Sequence, residues 1–315
     1  MEISTFWLYG GFTAFILVML AIDLGVFNRK AHTISLKEAI VWSIIWTVLA
    51  LLFNAGVWYY EGSTKALEFL TGYVVERALS FDNIFVFVLI FSYFGVPSNL
   101  HHRALFWGVV GALVTRALFI AAGAVLVSQF EWILYIFGLI LIYSGWKMMR
   151  GGSMEVHPDQ NLFIRMTRKV FPVTSGFEGG RFFVRQAGKL AITPLFLVLI
   201  TVETTDVVFA VDSIPAVFGV TQDPFIVYTS NIFAILGLRA TYFLLAGMME
   251  SFPYLSHGLS LVLIFIGLKM LLEDLVHIPV GISLGIVILI LTVAIIASLM
   301  KMRKEKRSGK RAARS

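Results

Sequence analysis

A chain of 315 residues that is 58% hydrophobic and only 14% charged differs from ordinary soluble domains, which are close to half apolar and a quarter charged. This composition favours a polytopic membrane protein whose surroundings are the lipid bilayer. The absence of cysteine excludes disulfides and thiolate metal sites within these residues. The net charge of +6 lies mostly in loops and the C-terminal tail, so we expect no nucleic-acid partner.

Nine apolar stretches reach the length of about 20 residues that a helix needs to cross a bilayer. They lie near 6–27, 39–59, 67–95, 104–127, 131–149, 190–218, 224–246, 256–276 and 279–300. The first stretch has no basic segment before it, so we interpret it as a retained helix and not as a signal peptide. The predicted fold class is therefore all-α, a multi-pass membrane protein with about nine transmembrane helices.

Basic residues alternate between the loops. The loops after the first, third and fifth spans and the tail at 301–315 are basic, whereas the other loops carry only Lys65. The positive-inside rule then places the N-terminus outside and the C-terminus in the cytoplasm. We interpret the segment 150–189 as a basic cytoplasmic loop that sets orientation, with a surface on the inner leaflet as the alternative. The transmembrane domain is predicted over 1–300.

Two parts of the chain repeat each other. The matches follow the same order along the chain: 76–83 with 206–213, 94–96 with 218–220, 116–119 with 239–243, and 145–148 with 267–270. Their offsets drift from 130 to 122 residues. This order predicts a duplicated three-helix unit, about 67–149 and about 190–276. Because three crossings are an odd number, the second unit enters from the opposite face. Such inverted repeats are typical of secondary transporters, which bind their substrate near the bilayer midplane.

The repeated acidic stretches are two boxes within apolar spans, 76–83 and 206–213. In each box an acid is followed six residues later by Asp and then by Asn or Ser. A carboxylate at the bilayer centre costs on the order of 3 kcal/mol, so a pattern that carries this cost twice predicts a binding site.

Helical spacing divides each box into two faces. Glu76 and Asn83 share one face of their helix, and Asp206 and Ser213 share a face of theirs. The second acids, Asp82 and Asp212, lie about 120° away around the helix. They can join the same site only from a flank or through a broken helix, for which Pro215 offers a cause in the sixth span.

The spans carry more acids than bases. The candidate buried bases are Arg77, Arg116 and Arg239, and the candidate buried acids are Asp23, Glu76, Asp82, Glu203, Asp206 and Asp212. The excess of three negative charges requires protons or a bound cation. Oxygen ligands favour Mg²⁺, Ca²⁺ or Mn²⁺ over metals that prefer thiolate. The structural alternative pairs Glu76 with Arg116 and Asp206 with Arg239 as contacts between helices.

The two boxes, in the forms Glu-x-x-Leu-Ser-Phe-Asp-Asn and Glu-x-x-Asp-x-x-Phe-Ala-Val-Asp-Ser-Ile-Pro, resemble the TerC family and, within it, Alx-type bacterial membrane proteins. The resemblance covers about residues 7–300 and implies an inner-membrane protein that exports manganese. It also implies a set of metal-site positions, namely Asp23, Glu76, Asp82, Asn83, Glu203, Asp206, Asp212 and Ser213.

We therefore predict a secondary transporter that exports a divalent cation, in the first place Mn²⁺, through an acidic midplane site, with protons as the candidate exchange ion. Mn²⁺ is the expected transported ion, no prosthetic group is expected, and the protein is not expected to be an enzyme. The alternatives are a membrane-protein assembly or scaffold factor and a Ca²⁺ exporter. An intramembrane aspartyl protease is disfavoured because its Gly-x-Gly-Asp pattern is absent. The oligomeric state stays open.

Overall fold

The computed structural model describes residues 5–22, 35–130, 132–150, 161–186, 188–245, 252 and 254–312, with the backbone alone described at 5–7 and 303–312. Asp23, one of the predicted site residues, lies outside the described residues. Most of the described chain is helical, which confirms the predicted all-α membrane class. One short antiparallel β-hairpin is an addition that the sequence did not predict.

The elements follow one another in this order. The first half contains α1 Thr5–Ile22, α2 Leu36–Glu61, α3 Ser63–Phe94, α4 Ser98–Gln129 and α5 Ile133–Met149. The connection that follows contains α6 Leu162–Val170 and the strands β1 Phe183–Gln186 and β2 Lys189–Ile192. The second half contains α7 Pro194–Phe218, α8 Pro224–Leu236, α9 Leu238–Leu245, α10 Leu255–Leu272 and α11 Val280–Ala312.

Among the described residues, five helices are long and apolar enough to cross a membrane. They are α2, α4, α7, α10 and the part of α11 over Val280–Met302. Two further apolar helices are shorter, Leu8–Ala21 within α1 and Ile133–Met149. These helices support a multi-pass membrane protein. Each of the nine predicted spans overlaps a helix, but the number of crossings stays a prediction.

Local chemistry explains where several helices begin and end. Ser35 Oγ accepts a hydrogen bond from the Glu38 backbone N at the start of α2, and the Glu38 carboxylate accepts one from the Ser35 backbone N. This reciprocal pair satisfies backbone donors that the first turn leaves free. Gly95 ends α3 in a left-handed conformation with φ 61°, which glycine adopts at little cost. Asp223 caps α8, and Pro224 occupies its first turn.

Helices α5 and α10 pack closely along a seam of small residues. A Cβ added to Gly267 would lie 2.6 Å from the backbone O of Gly138, and one added to Gly145 would lie 2.7 Å from the backbone O of Ser260. Advancing along α5 from 138 to 145 corresponds to moving back along α10 from 267 to 260. The two helices are therefore antiparallel, with backbones in contact, as small residues permit in membranes.

Helices α3, α4, α7 and α8 form the centre of the bundle. Gly72, near the start of α3, lies beside Val217, near the end of α7. Further along α3, Phe87 belongs to one apolar cluster with Leu195 and Val198 from the start of α7. Helices α3 and α7 are thus antiparallel as well. The two acidic boxes lie on these two helices, so the fold brings them together.

The connection between α5 and α7 packs against the start of α7. Ile164 of α6 lies in an apolar cluster with Ile192 of β2 and Leu197 of α7. At the beginning of α6, Asn161 Nδ2 donates to Thr204 Oγ1 over 2.7 Å. The predicted loop 150–189 therefore contains ordered structure that reaches along the first three turns of α7.

Candidate functional site

The guanidinium of Arg116, on α4, binds polar side chains from three other helices. Nη1 donates to Glu76 Oε1 on α3, to Ser213 Oγ on α7 over 2.8 Å and to Asn231 Oδ1 on α8 over 2.9 Å. Nε and Nη2 donate to the two carboxylate oxygens of Asp206 on α7 over 3.4 and 3.3 Å. We call these five residues the Arg116 cluster.

The Arg116 cluster is isolated from solvent. Arg116, Glu76 and Asn231 have 0% exposure, and Asp206 and Ser213 have 2%. Buried charges need partners because burial removes the stabilisation that water supplies. Two carboxylates and one guanidinium leave the cluster with one formal negative charge, so Arg116 balances half of the carboxylate charge.

The observed ion pairs match the structural alternative in part. Glu76 pairs with Arg116, as that alternative proposed. The proposed pairing of Asp206 with Arg239 is wrong, because Asp206 pairs with Arg116. A single guanidinium therefore joins the first acids of both boxes. These two acids occupy the same position in the repeated motif, and in the structure they lie beside the same guanidinium.

Several carboxylate oxygens near the cluster have no hydrogen-bond partner among the described residues. They are Glu76 Oε2 and both oxygens of Glu203. Glu203 lies one helical turn before Asp206 and packs against α4 at Gly111, where an added Cβ would lie 2.0 Å from Glu203 Oε1. Glycine at position 111 makes room for this carboxylate. Such oxygens retain the capacity to bind a cation or a proton.

The second acids of the boxes lie away from Arg116. Asp212 is half-buried and faces α5, where Ser144 Oγ donates to Asp212 Oδ1 over 2.6 Å. Asp82 is half-buried on α3, next to the buried Asn83. Both α3 and α7 are continuous helices through the boxes, and α7 continues past Pro215. The broken helix that could have turned Asp82 and Asp212 inward is therefore not observed at either box.

The predicted metal ligands fall into separate groups. The Arg116 cluster contains Glu76, Asp206 and Ser213. Asp212 contacts α5 and Glu203 contacts α4. Asp82 and Asn83 belong to none of these three groups. Within the described ranges, no three His, Asp or Glu side chains lie close enough together to hold a metal ion. The assignment of these residues as ligands stays a prediction. In this conformation, Arg116 lies where the carboxylates converge.

The helix of the predicted seventh span is interrupted at a single residue, Gly237, whose backbone stays in the right-handed helical region. This span divides at Gly237 into α8 and α9. Arg77 Nη1 donates to the backbone O of Ala234, in the last turn of α8, over 3.0 Å. An added Cβ at Gly237 would lie 2.1 Å from Arg77 Nη1, so glycine at this position makes room for the guanidinium. Arg77 thus supplies a donor to the carbonyl end of α8, which carries a partial negative charge.

Two residues of the Arg116 cluster, Arg116 and Asn231, were not among the predicted site residues, although the sequence contained signals for both. Arg116 was considered as a buried base and as the partner of Glu76 in the structural alternative, but not as the residue that joins both boxes. Asn231 ends a Thr-Ser-Asn run inside an apolar stretch. An intramembrane Arg must find several acceptors, and a buried Asn is a suitable one.

Comparison with known proteins identifies the family. The chain belongs to the TerC family, since the model described as "Integral membrane protein TerC family" matches residues 61–306. This confirms the resemblance of the acidic boxes. No solved structure matches the chain.

Three relatives cover nearly the whole chain. A Myxococcus xanthus protein, "Uncharacterized membrane protein STKORF319", is 49% identical over 296 residues, 94% of this chain and 93% of the relative. An Escherichia coli K12 protein, "Putative membrane-bound redox modulator Alx", is 49% identical over 312 residues, 96% of this chain and 97% of the relative. A Rickettsia bellii protein, "Uncharacterized membrane protein", is 41% identical over 290 residues, 92% of this chain and 96% of the relative.

Proposed function

We propose that this protein is a secondary transporter that exports a divalent cation, preferably Mn²⁺, across the bacterial inner membrane. The observation that carries the proposal is the convergence of oxygen atoms from α3, α7 and α8 in the Arg116 cluster. Carboxylate, hydroxyl and amide oxygens are ligands of Mn²⁺, Mg²⁺ and Ca²⁺. Buried carboxylates inside a membrane are typical of ion and proton pathways.

The helix packing supports an inverted repeat of α3–α5 and α7–α10. The offset of 122 residues that relates 145–148 to 267–270 also relates Gly138 to Ser260 and Gly145 to Gly267. Exchanging the two units therefore converts the contact of Gly138 with Gly267 into the contact of Ser260 with Gly145, and both are present. The antiparallel direction of α5 and α10 is what a two-fold axis in the membrane plane requires. We propose nine crossings with the N-terminus outside on this basis.

The carboxylates outside the Arg116 cluster fit a pathway through the membrane. Glu203 lies one turn nearer than Asp206 to the start of α7, which the proposed orientation places towards the cytoplasm. Its unpartnered oxygens make it our candidate for an entry ligand or a proton carrier. We assign Asp82, Asn83 and Asp212 to the flanks of the pathway, and Asp23 to the same predicted ligand set.

The name of the E. coli relative describes a redox modulator, which is a different class of function. Thiol–disulfide exchange by this chain's own side chains is not available because it contains no cysteine. The buried oxygen cluster has a direct use in cation transport. Ion transport is therefore the function that these residues support better.

A scaffold role is the second candidate, and α6 is the observation that favours it. This helix exposes Leu162, Phe163 and Met166 while its charged residues Arg165 and Lys169 are also exposed. Exposed apolar side chains beside basic ones suit a contact with a partner or with the anionic inner leaflet. A scaffold role predicts that neutral substitutions at Glu76 and Asp212 leave cellular function intact.

Flux measurements in liposomes test the proposed function. The purified full chain is reconstituted, and movement of Mn²⁺, Ca²⁺, Mg²⁺ and Zn²⁺ is followed with and without a pH gradient. We expect Mn²⁺ to move fastest, with strong loss in Glu76→Gln, Asp206→Asn and Asp82→Asn. The exposed acid Asp274 provides a matched control, because Asp274→Asn removes a carboxylate outside the bundle interior. Transport is excluded if no divalent ion moves or binds in a manner that these substitutions abolish.

A further inference from the structure

The surroundings of Arg116 Nη1 contain more acceptors than a guanidinium nitrogen can serve. Glu76 Oε1, Ser213 Oγ and Asn231 Oδ1 all lie within hydrogen-bond distance of this nitrogen. A terminal guanidinium nitrogen carries two hydrogens, out of the five donors in the planar fork. Oxygens that converge from three helices suit a spherical cation with six or more ligands better than a planar donor.

The charge balance of the cluster also favours a divalent cation. Arg116 offsets one of the two carboxylates, and Glu76 Oε2 has no hydrogen-bond partner among the described residues. A divalent ion in the position of the guanidinium would balance Glu76 and Asp206 together. It would also accept the oxygens of Ser213 and Asn231 without competition for hydrogens.

We propose that Arg116 is a tethered cation that occupies the metal position in the empty transporter, and that a divalent ion binds by displacing its guanidinium. The inference rests on the proposed function, since it assigns a role within the same cluster. Arg116 is then a specificity-determining residue and not a ligand. Metal and guanidinium bind the same oxygens at different times.

Selectivity for divalent ions follows from this exchange. A monovalent ion brings no more charge than the guanidinium that it would displace, and the hydrogen bonds of Arg116 to the cluster would be lost. A divalent ion adds one positive charge to a buried site where charge interactions are only weakly screened. Na⁺ and K⁺, although abundant, therefore cannot empty the cluster of its arginine.

The proposed exchange also explains how the empty transporter changes conformation after it releases the metal. Two buried carboxylates without a cation are costly in a membrane interior. When Arg116 returns after metal release, the empty site keeps only one excess negative charge and can change conformation. Without the arginine, metal-for-metal exchange should continue while net export, which needs the empty transporter to return, should slow.

The competing reading is that Arg116 only holds α3, α4, α7 and α8 together. Mn²⁺ binding by the purified full chain separates the two readings. If Arg116 is displaced, Arg116→Gln should bind Mn²⁺ about 10- to 100-fold more tightly, because a competing charge a few ångströms away is removed. Na⁺ should then compete with Mn²⁺, unlike in the wild-type protein. Arg116→Lys, which keeps the charge but fewer donors, should show a smaller gain in affinity.

Arg77→Gln is the matched control. It also removes a guanidinium inside the bundle, but Arg77 is half-buried and contacts the backbone O of Ala234 and not the oxygens of the cluster. We expect its Mn²⁺ affinity to change less than that of Arg116→Gln. In liposomes, Arg116→Gln should retain exchange of Mn²⁺ for Mn²⁺. Net export should fall about tenfold, because the return of the empty transporter becomes the slow conformational step. Equal or weaker Mn²⁺ affinity in folded Arg116→Gln overturns the proposal, as does an equal loss of exchange and net export.

The wild-type protein supplies a second test if Arg116→Gln does not fold. An arginine-specific dicarbonyl reagent should leave buried Arg116 unmodified in the metal-free protein and modify it when Mn²⁺, but not Na⁺, is present. Mass spectrometry of the peptide that contains Arg116 reads the result, and no increase with bound Mn²⁺ overturns the proposal. If the wild-type protein neither binds nor moves a divalent ion, the proposed function itself fails. If it does both and Arg116 shows none of these effects, only this inference fails.

Discussion

The two acids of the second box lie six residues apart on one helix, yet their surroundings differ. Asp206 is buried in the Arg116 cluster, where a guanidinium holds both of its oxygens. Asp212 is half-buried and accepts one hydrogen bond from Ser144 on α5. The first box divides in the same way, with Glu76 in the cluster and Asp82 outside it. In each repeated motif, therefore, the first acid lies in the Arg116 cluster beside a guanidinium. The second acid lies outside the cluster, and we call it the flanking acid.

Arg116→Ala should have the largest effect on the central acids. It leaves Glu76 and Asp206 buried without their cation, and removal of one partner from a buried ion pair costs about 3–5 kcal/mol. We expect a large loss in the free energy of unfolding, measured by denaturation in detergent. Asp212→Asn should cost far less, because Ser144 can still donate to the amide oxygen. If Arg116→Ala is as stable as wild type, protons and not the guanidinium balance the central carboxylates.

Gly267→Ala tests the seam that holds α5, and with it Ser144, against the bundle. The new Cβ would lie 2.6 Å from the backbone O of Gly138, and a backbone atom cannot rotate away. Overpacking of this kind costs about 1–3 kcal/mol. Gly285→Ala in α11 is the control, since no atom lies within 4 Å of its added Cβ. Equal melting temperatures for the two variants would contradict the close packing of α5 and α10.

Gly111→Ala separates stability from transport at the centre. The added Cβ overlaps the carboxylate of Glu203, which is the end of a flexible side chain and can move. We expect about 1 kcal/mol of lost stability, at the low end for overpacking, together with a marked fall in Mn²⁺ flux. Glu203→Gln should reduce flux without the steric change. Unchanged flux in both variants would remove Glu203 from the proposed pathway.

Ser144→Ala is expected to have the smallest effect. Hydrogen bonds between membrane helices contribute about 0.6 kcal/mol on average, and Asp212 is partly accessible to other partners. A change in unfolding free energy of that size, with Mn²⁺ binding retained, would confirm that the flanking acid is only lightly held. A loss comparable to that of Arg116→Ala would show that the two positions are equivalent after all.

Much of the site was predictable because it rests on helix periodicity. The positions of the boxes follow from the repeated motif, and the shared face of Asp206 and Ser213 and the separate face of Asp212 follow from 3.6 residues per turn. The pairing of Glu76 with Arg116 was the structural alternative to a metal site, based on the need of a buried carboxylate for a base. Periodicity describes one helix at a time, so it gave no means to choose between Arg116 and Arg239 as the partner of Asp206.

The membrane class, the TerC family and the two repeated acidic boxes were all predictable from the sequence, since hydrophobic length and local motifs are properties of single segments. The packing of the helices was needed to show that one arginine joins the first acids of both boxes, that Asn231 completes their surroundings, and that the helices remain continuous through both boxes. These features depend on how each helix is rotated and how closely it approaches its neighbours. Small residues such as Gly111 and Gly267 set those distances through packing between segments far apart in the chain.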